Sequence, residues 1–432
     1  MTTIKAVRGT RDLLPAETAL WNRIEATARQ VFARYNFGEI RTPIFEDTAL
    51  FARGVGEETD IVSKEMYTWE DRARAQSEKT QMLTLRPENT AGVVRAYIEH
   101  GLGESGQLQK LYYIGPQFRR ERPQKGRYRQ FSQIGAEVIG PPSSGSESPL
   151  RDAEVLEMLA TLLNELGITG WVLELNSVGS SADRTRYNDT LRAALQPVVG
   201  QMCVDCQRRA VTNPLRVLDC KVAADQPIIE ALPKISDSLD EDSQKHFAAV
   251  LAALDAAGVA YTRNQRLVRG LDYYTRTTFE FTHGGLGAQN ALLGGGRYDG
   301  LSEMLGGPRA PGIGFAIGED RLALTLQALD QKAAPPQVAA AFIAPLGDAL
   351  NPAALALARE LRQAGLRVEL GEGSFRLKKS FEAADKTARA IVILGEDELQ
   401  SGILTVKTFS TGMQTKVNRA ELAVYLSTPA SE

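Results

Sequence analysis

Cysteine and histidine are scarce in this chain, three of each in 432 residues. So few cysteines exclude a disulfide scaffold and fit a reducing compartment. Cys203 and Cys206 form a single CxxC, and Cys220 follows at a longer interval. The histidines, His100, His246 and His283, are scattered. With no second cysteine pair and no nearby histidine, a fourth ligand is missing, and no structural zinc is expected. A dominant charge is also lacking: 50 basic residues stand against 53 acidic ones, a net charge of −3. Any nucleic-acid contact must therefore come from local patches. No apolar run reaches the length of a membrane span, and the opening residues, MTTIKAVRGTRDLLP, hold no apolar signal core. A cytoplasmic protein with no membrane partner is expected.

What is present is enough apolar sequence for a substantial core: 43% hydrophobic residues and 24% charged. The length predicts two to four domains at roughly 150 residues each. The most informative stretch runs from Lys110 to Ile139, KLYYIGPQFRRERPQKGRYRQFSQIGAEVI. It reads as two strands joined by a basic loop. Arg119, Arg120, Arg122, Lys125, Arg127 and Arg129 face a single acid, Glu121, in that loop. Period-two counting puts Phe131, Gln133, Gly135 and Glu137 on one face of the second strand, and Ile134, Ala136 and Val138 on the other. A polar face behind an apolar one suits a sheet surface turned toward a polar ligand, with the basic loop placed for phosphates.

FRRERPQKGRYRQFSQIGAEV resembles motif 2 of the class II aminoacyl-tRNA synthetases, in the form used by the histidyl enzymes. The resemblance implies that Arg119 grips the α-phosphate of ATP, that Glu121 and Phe131 hold adenine, and that Arg127 is a further ATP ligand. Gln133 and Glu137 would contact the amino acid. Arg122 and Gln124 would meet the extra 5′ guanosine of tRNA-His. IRTPIFEDTALFARGVGEETDIVSKEMYTW is similar to motif 1, the dimer-forming segment, with Pro43 at its proline. A homodimer through this region is implied.

LTLRPENTAG, from Leu83 to Gly92, places Glu88 at a strand-to-helix corner. Pro87 restricts the residue before it, and Asn89 or Thr90 is expected to cap the helix that follows. The resemblance makes Glu88 and Thr90 ligands of the substrate's α-amino group. RGLDYY matches a histidyl-specific motif, which puts Arg269 near the α-phosphate and the substrate carboxylate, with Tyr273 and Tyr274 along the imidazole pocket. The glycine-rich run GGLGAQNALLGGGRYDGL holds no GxGxxG, and its glycines read as tight turns and close backbone approach to a ligand. GGGRYDG matches the second histidyl motif, in which Tyr298 helps select histidine. GIGFAIGEDRLAL is similar to motif 3, with Arg321 on the ATP phosphates. Asp320 stands where the family usually has Glu.

The fold expected from this resemblance is an α+β catalytic domain over residues 1–331, with a mainly antiparallel sheet flanked by helices. A helical insertion is expected at 180–262, lying over the tRNA acceptor end. KAAPPQ, 332–337, reads as a linker. Strand–helix alternation over 338–432 predicts a small α/β domain, similar to the anticodon-binding domain of the class. The implied catalytic arginines are Arg119, Arg269 and Arg321. The implied reaction uses ATP with Mg²⁺ and no organic cofactor, and it needs no protein nucleophile. A silent paralogue, such as the histidine-sensing subunit of ATP phosphoribosyltransferase, usually lacks the C-terminal domain and has degraded ATP motifs; here both are intact.

Overall fold

The computed structural model describes residues 3–56, 59–71, 80–124, 126–286, 290–329 and 338–427. Lys125 and the linker expected at 332–337 lie outside the described residues. The chain divides into two units, Met1–Ala333 and Ala334–Glu432.

The first unit opens with helix α1 (Pro15–Arg34), strands β1 (Gly38–Glu39) and β2 (Phe45–Asp47), and helix α2 (Thr48–Val55). Strands β3 (Tyr67–Asp71) and β4 (Gln81–Leu85) precede helix α3 (Thr90–Glu99). The pair β5 (Gln109–Phe118) and β6 (Gln130–Ile139) follows, then α4 (Pro149–Glu165) and β7 (Trp171–Ser177). Helices α5 (Ser181–Leu195), α6 (Val204–Thr212), α7 (Gln226–Glu230) and α8 (Glu241–Ala257) come next. The unit ends with β8 (Thr262–Arg263), β9 (Thr275–His283), β10 (Ala291–Arg297), α9 (Leu301–Met304), β11 (Gly312–Gly318) and α10 (Glu319–Ala328).

Eight strands form one sheet in the order β1-β5-β6-β11-β10-β9-β7-β8. Only the outer pairs, β1 with β5 and β7 with β8, run parallel. The two faces differ as the period of two requires. Ile134, Ala136 and Val138 of β6, Phe279 and Phe281 of β9, and Ile313, Phe315 and Ile317 of β11 enter one apolar core. Helix α1 covers that face. Pro15 starts it in the first turn, where a missing N–H costs nothing, and Leu20, Ile24, Ala28, Val31 and Phe32 recur at helical spacing and are buried. The Phe32 ring lies 4.8 Å from Tyr112 and 6.2 Å from Phe315.

On the opposite face, glycines alternate with large polar side chains. A Cβ added to Gly135 would meet the Tyr113 ring and hydroxyl at 2.3 Å, one on Gly314 would meet Glu137 Oε2 at 1.6 Å, and one on Gly294 would meet the Arg269 guanidinium at 2.5 Å. Such distances exclude any larger residue unless the neighbour moves. The GGG run therefore lies inside strand β10, not in a turn. Its glycines clear space for the protein's own side chains.

Between β7 and α8 the helical segment has a core of its own, from Val178 to Ile235. Helix α8, in contrast, packs Phe247, Val250 and Leu254 into the main core. The stretch 180–262 is thus divided between two cores.

The second unit holds β12 (Ala341–Pro345), α11 (Asn351–Gln363), β13 (Val368–Leu370), α12 (Leu377–Thr387), β14 (Ala390–Leu394), α13 (Glu396–Ser401), β15 (Ile403–Thr408), β16 (Gln414–Asn418) and α14 (Leu422–Ser427). The strand order is β13-β12-β14-β15-β16, parallel as far as β14 and antiparallel beyond it. Strand β16 is an edge strand that buries only Val417, so its sequence carries almost no apolar signal.

Behind the main sheet a buried charge cluster joins four elements. Asp152 of α4 receives Arg297 Nη2 of β10 at 2.5 Å, Thr277 Oγ1 of β9 at 2.6 Å and faces His246 Nε2 of α8 at 2.8 Å. Asp152 and Arg297 are both fully buried. Burial pushes the Asp152 carboxyl up, but Arg297 and His246 pull it down to about 2. Removing one partner leaves the other as an uncompensated buried charge. Arg297→Met should therefore cost ~3–5 kcal/mol, and pairing it with Asp152→Asn should recover part of that loss. Chemical denaturation of the three variants checks this. Simple additivity would mean that the two charges are not coupled.

Candidate active site

A cavity of about 330 Å³ opens on the glycine-cleared face, a size usual for a small-molecule site. It is lined by Arg119, Glu121, Arg127, Phe131 and Arg321, and also by Glu88, Thr90, Gln133, Arg269, Tyr273 and Tyr274. Residues read from four separated stretches thus share one cavity. β5 and β6 carry the loop that presents Arg119 and Arg127, while Arg321 stands in the first turn of α10.

Each arginine is held on one side and open on another. Arg119 donates from Nε to Pro87 O at 2.9 Å, and its guanidinium lies 5.3 Å from the Phe131 ring centre. Arg127 pairs with Glu121 at 3.2 Å. Arg321 Nη1 donates to Ala291 O at 2.5 Å. Arg269 Nη1 donates to Glu280 Oε1 at 2.5 Å. The buried Arg269 Nε and Gln133 Oε1 have no partner among the described residues. Both residues line the cavity, and a buried donor and a buried acceptor without partners call for polar groups beside them. Four guanidiniums in that cavity suit phosphate oxygens.

Glu88 and Glu137 are held by backbone and hydroxyl groups. Glu88 accepts from Thr90 N at 2.8 Å and Ala91 N at 2.9 Å. It caps α3, whereas Asn89 turns its Oδ1 to the Thr42 hydroxyl at 2.5 Å. The side-chain cap expected from Asn89 or Thr90 is thus supplied by Glu88. Burial raises the Glu88 carboxyl above its usual range, against the pull of those two amides.

Glu137 and Tyr298 do not line the cavity. Glu137 is completely buried behind it, accepting from the Thr90 hydroxyl at 2.7 Å and the Tyr298 hydroxyl at 2.7 Å. Burial pushes its carboxyl up to about 8, although the Tyr298 and Thr90 hydroxyls pull the other way. Arg122 and Gln124 are exposed on the loop, outside the cavity. Gln124 closes a tight turn with Arg127 through paired backbone bonds of 3.1 and 2.9 Å. Asp320 lines the cavity, and its shorter side chain receives Arg11 at 2.9 Å.

Sequence reasoning missed Tyr113 and Glu280, which also line the cavity. A signal existed for both. Tyr113 lies opposite Gly135, on the face that carries Gln133 and Glu137. Glu280 is the polar member of the alternating FEF in β9. The cysteine reading also changes, because Asp225 joins Cys203, Cys206 and Cys220, all four ligand atoms lying within 4.8 Å of one another. The premise of a missing fourth ligand does not hold.

A family model described as Histidyl-tRNA synthetase matches residues 9–322, and one described as Anticodon binding domain matches 340–428. The chain is 72% identical over 424 residues to a curated histidine–tRNA ligase of Koribacter versatilis (strain Ellin345), covering 98% of this chain and 96% of that protein. Identity to the histidine–tRNA ligase of Solibacter usitatus (strain Ellin6076) is 56%, covering 98% of this chain and 99% of that one. The solved apo histidyl-tRNA synthetase of S. aureus is 37% identical, covers 99% of this chain and 100% of its own, and superposes with a TM-score of 0.80. With its cavity built from the stretches described above, the chain belongs to the histidyl-tRNA synthetase family.

Proposed function

We infer that this protein ligates L-histidine to tRNA-His, using ATP and passing through histidyl-adenylate, as a step of protein synthesis in the cytoplasm. The observation that carries this reading is the convergence of Arg119, Arg127, Arg269 and Arg321 with Glu88, Thr90 and Gln133 in one cavity. The histidine carboxylate attacks the α-phosphorus of ATP and pyrophosphate leaves. The terminal ribose hydroxyl of the tRNA then attacks the acyl carbon, and AMP leaves. Both steps are matters of positioning and charge stabilisation.

In this reading Glu121 and Phe131 hold adenine, Arg119 and Arg269 grip the α-phosphate, and Arg127 and Arg321 serve the other phosphates. Glu88 and Thr90 receive the α-amino group. Tyr273 and Tyr274 flank the imidazole. Gln133 contacts the amino acid, and Glu137, steadied by Thr90 and Tyr298, selects the ring from behind. Each Glu137 oxygen accepts one hydroxyl. Glu280 and Asp320 also line the cavity, and their carboxylates would hold the Mg²⁺ that accompanies ATP and neutralises phosphate charge. Arg122 and Gln124, exposed on the loop, would meet the tRNA acceptor end, and residues 338–432 would bind the anticodon.

A second copy of the chain is the proposed partner of the sheet β2-β4-β3 in the motif 1 region. Phe45, Trp69 and Met82 of these strands are exposed. Sedimentation at micromolar concentration should give a dimer, and a monomer would refute this.

ATP–pyrophosphate exchange should respond to histidine alone among the twenty amino acids, and no exchange with histidine would sink the assignment. Arg269→Lys keeps the charge and loses the fork, so adenylation should fall at least ~10²-fold, on the scale of one preorganised donor. Transfer from pre-formed histidyl-adenylate should fall much less. Rapid-quench measurement of each step separately decides it; equal losses would mean that Arg269 only holds the site together.

Glu137 supplies a pH test. Its carboxyl sits at about 8 in the folded protein, well above the ordinary carboxylate value. The folded state therefore holds an extra proton between roughly pH 4.5 and 8. The stability this provides is complete below that window and is lost as pH rises through about 8. Glu319, likewise raised to about 8 by burial, remains in any Glu137 variant. From about pH 6 to about pH 9 the Tm of Glu137→Gln should fall less than that of the parent, and KM for histidine should rise far more than KM for ATP. Parallel Tm curves with an unchanged histidine KM would remove Glu137 from histidine selection.

A further inference from the structure

The helical segment between β7 and α8 contains a cluster that the ligation chemistry does not use. Cys203 stands at the N-terminus of α6, and Cys206 lies one turn further along it. Cys220 follows the 3₁₀ turn Pro214–Val217, and Asp225 ends the next one, Ala223–Asp225. The Cys203 and Cys220 sulfurs are 3.9 Å apart, and the Cys220 sulfur is 3.3 Å from Asp225 Oδ2. A tetrahedral zinc site with Zn–S bonds of ~2.3 Å and a Zn–O bond of ~2.1 Å has S···S edges of about 3.8 Å and S···O edges of about 3.6 Å. These two separations are close to those edges, and all four ligand atoms lie within 4.8 Å of one another.

Three further observations point to a cation. Asp225 is 1% exposed, and among the described residues it makes no ion pair with Lys, Arg or His. A buried carboxylate among thiols, with no counter-charge, calls for one. Backbone amides also orient these groups: Cys203 N–H donates to both Asp225 oxygens at 3.1 and 3.2 Å, and Val222 N–H donates to the Cys220 sulfur at 3.4 Å. Amide donors of this kind steady thiolate and carboxylate ligands around a metal. Finally, the segment has its own small core, which includes Cys206 and Cys220, and its three cysteines are free. A core of about 60 residues built from short helices gains from a metal or disulfide staple.

We propose that Cys203, Cys206, Cys220 and Asp225 bind one Zn²⁺ as a closed structural site that holds this helical segment together. Binding deprotonates the three thiols, releases their protons and leaves no open coordination position for catalysis.

The test uses the full chain, purified in reductant without chelator. Elemental analysis should find about one zinc per chain, and Cys206→Ser should reduce this to roughly one tenth or less. Replacing zinc by Co²⁺ in the parent should give sulfur-to-cobalt charge-transfer absorption with the d–d bands of a tetrahedral site. Stripping the metal should speed protease cleavage within residues 178–238 while histidine-dependent pyrophosphate exchange, read separately, reports on the catalytic cavity. Parent protein with no zinc as purified and no cobalt spectrum on addition of Co²⁺ to the reduced chain would overturn the proposal. A Cys203–Cys220 disulfide in metal-free purified protein would overturn it equally. Neither result depends on whether a variant folds.

Discussion

The site rests on a steric constraint: one face of a twisted sheet must be cleared of side chains so that a few large polar groups can lie against it. Gly135, Gly294 and Gly314 are spaced so that Tyr113, Arg269 and Glu137 occupy the volume their Cβ atoms would take. The other face of the same strands does the reverse, interdigitating Ile134, Phe279, Phe281 and Phe315 with α1. Burial on that face fixes the register, because a slip of one residue would exchange the two sets. The register in turn brings Gln133 opposite Gly318 and Glu137 opposite Gly314.

Charge inside this frame is arranged in two tiers. The arginines lining the cavity are each anchored by a carbonyl or an acid, which holds them against their mutual repulsion. Arg119 binds Pro87 O and Arg321 binds Ala291 O, so these two positions depend on backbone geometry. Behind them, Glu137 and Asp152 are both fully buried and have opposite fates. Asp152 meets a guanidinium and is held ionised, while Glu137 meets only hydroxyls and is raised. The difference follows from partner charge, since hydroxyl donors cannot repay the loss of water around a full charge. Asp152 and Arg297 lock α4, α8, β9 and β10 together, and Arg297 directly precedes Tyr298, which holds Glu137.

The helical segment from Val178 to Ile235 follows another economy. It is too small to rely on apolar burial alone. Cys206 and Cys220 lie in its core, Cys203 and Asp225 complete the cluster, and none of the four lines the cavity.

The sequence by itself determined the periodic elements and the chemistry of the site. Helix α1 was legible because its apolar residues recur at helical spacing. The β5–β6 pair was legible because alternation assigns its faces, and the motifs named most of the cavity's polar lining because their residue types are tied to phosphate and amino-acid recognition. Only the tertiary structure decided which of these residues meet. That Glu88, not Asn89, caps α3 depends on Thr42 drawing Asn89 away. That Glu137 sits behind Thr90 depends on a glycine in a strand 177 positions later. Asp225 completes the cysteine cluster, although its type and spacing fit no familiar ligand pattern. Local sequence carries period, propensity and chemistry; the pairing of distant groups is set by strand register and by core packing, which no single stretch contains.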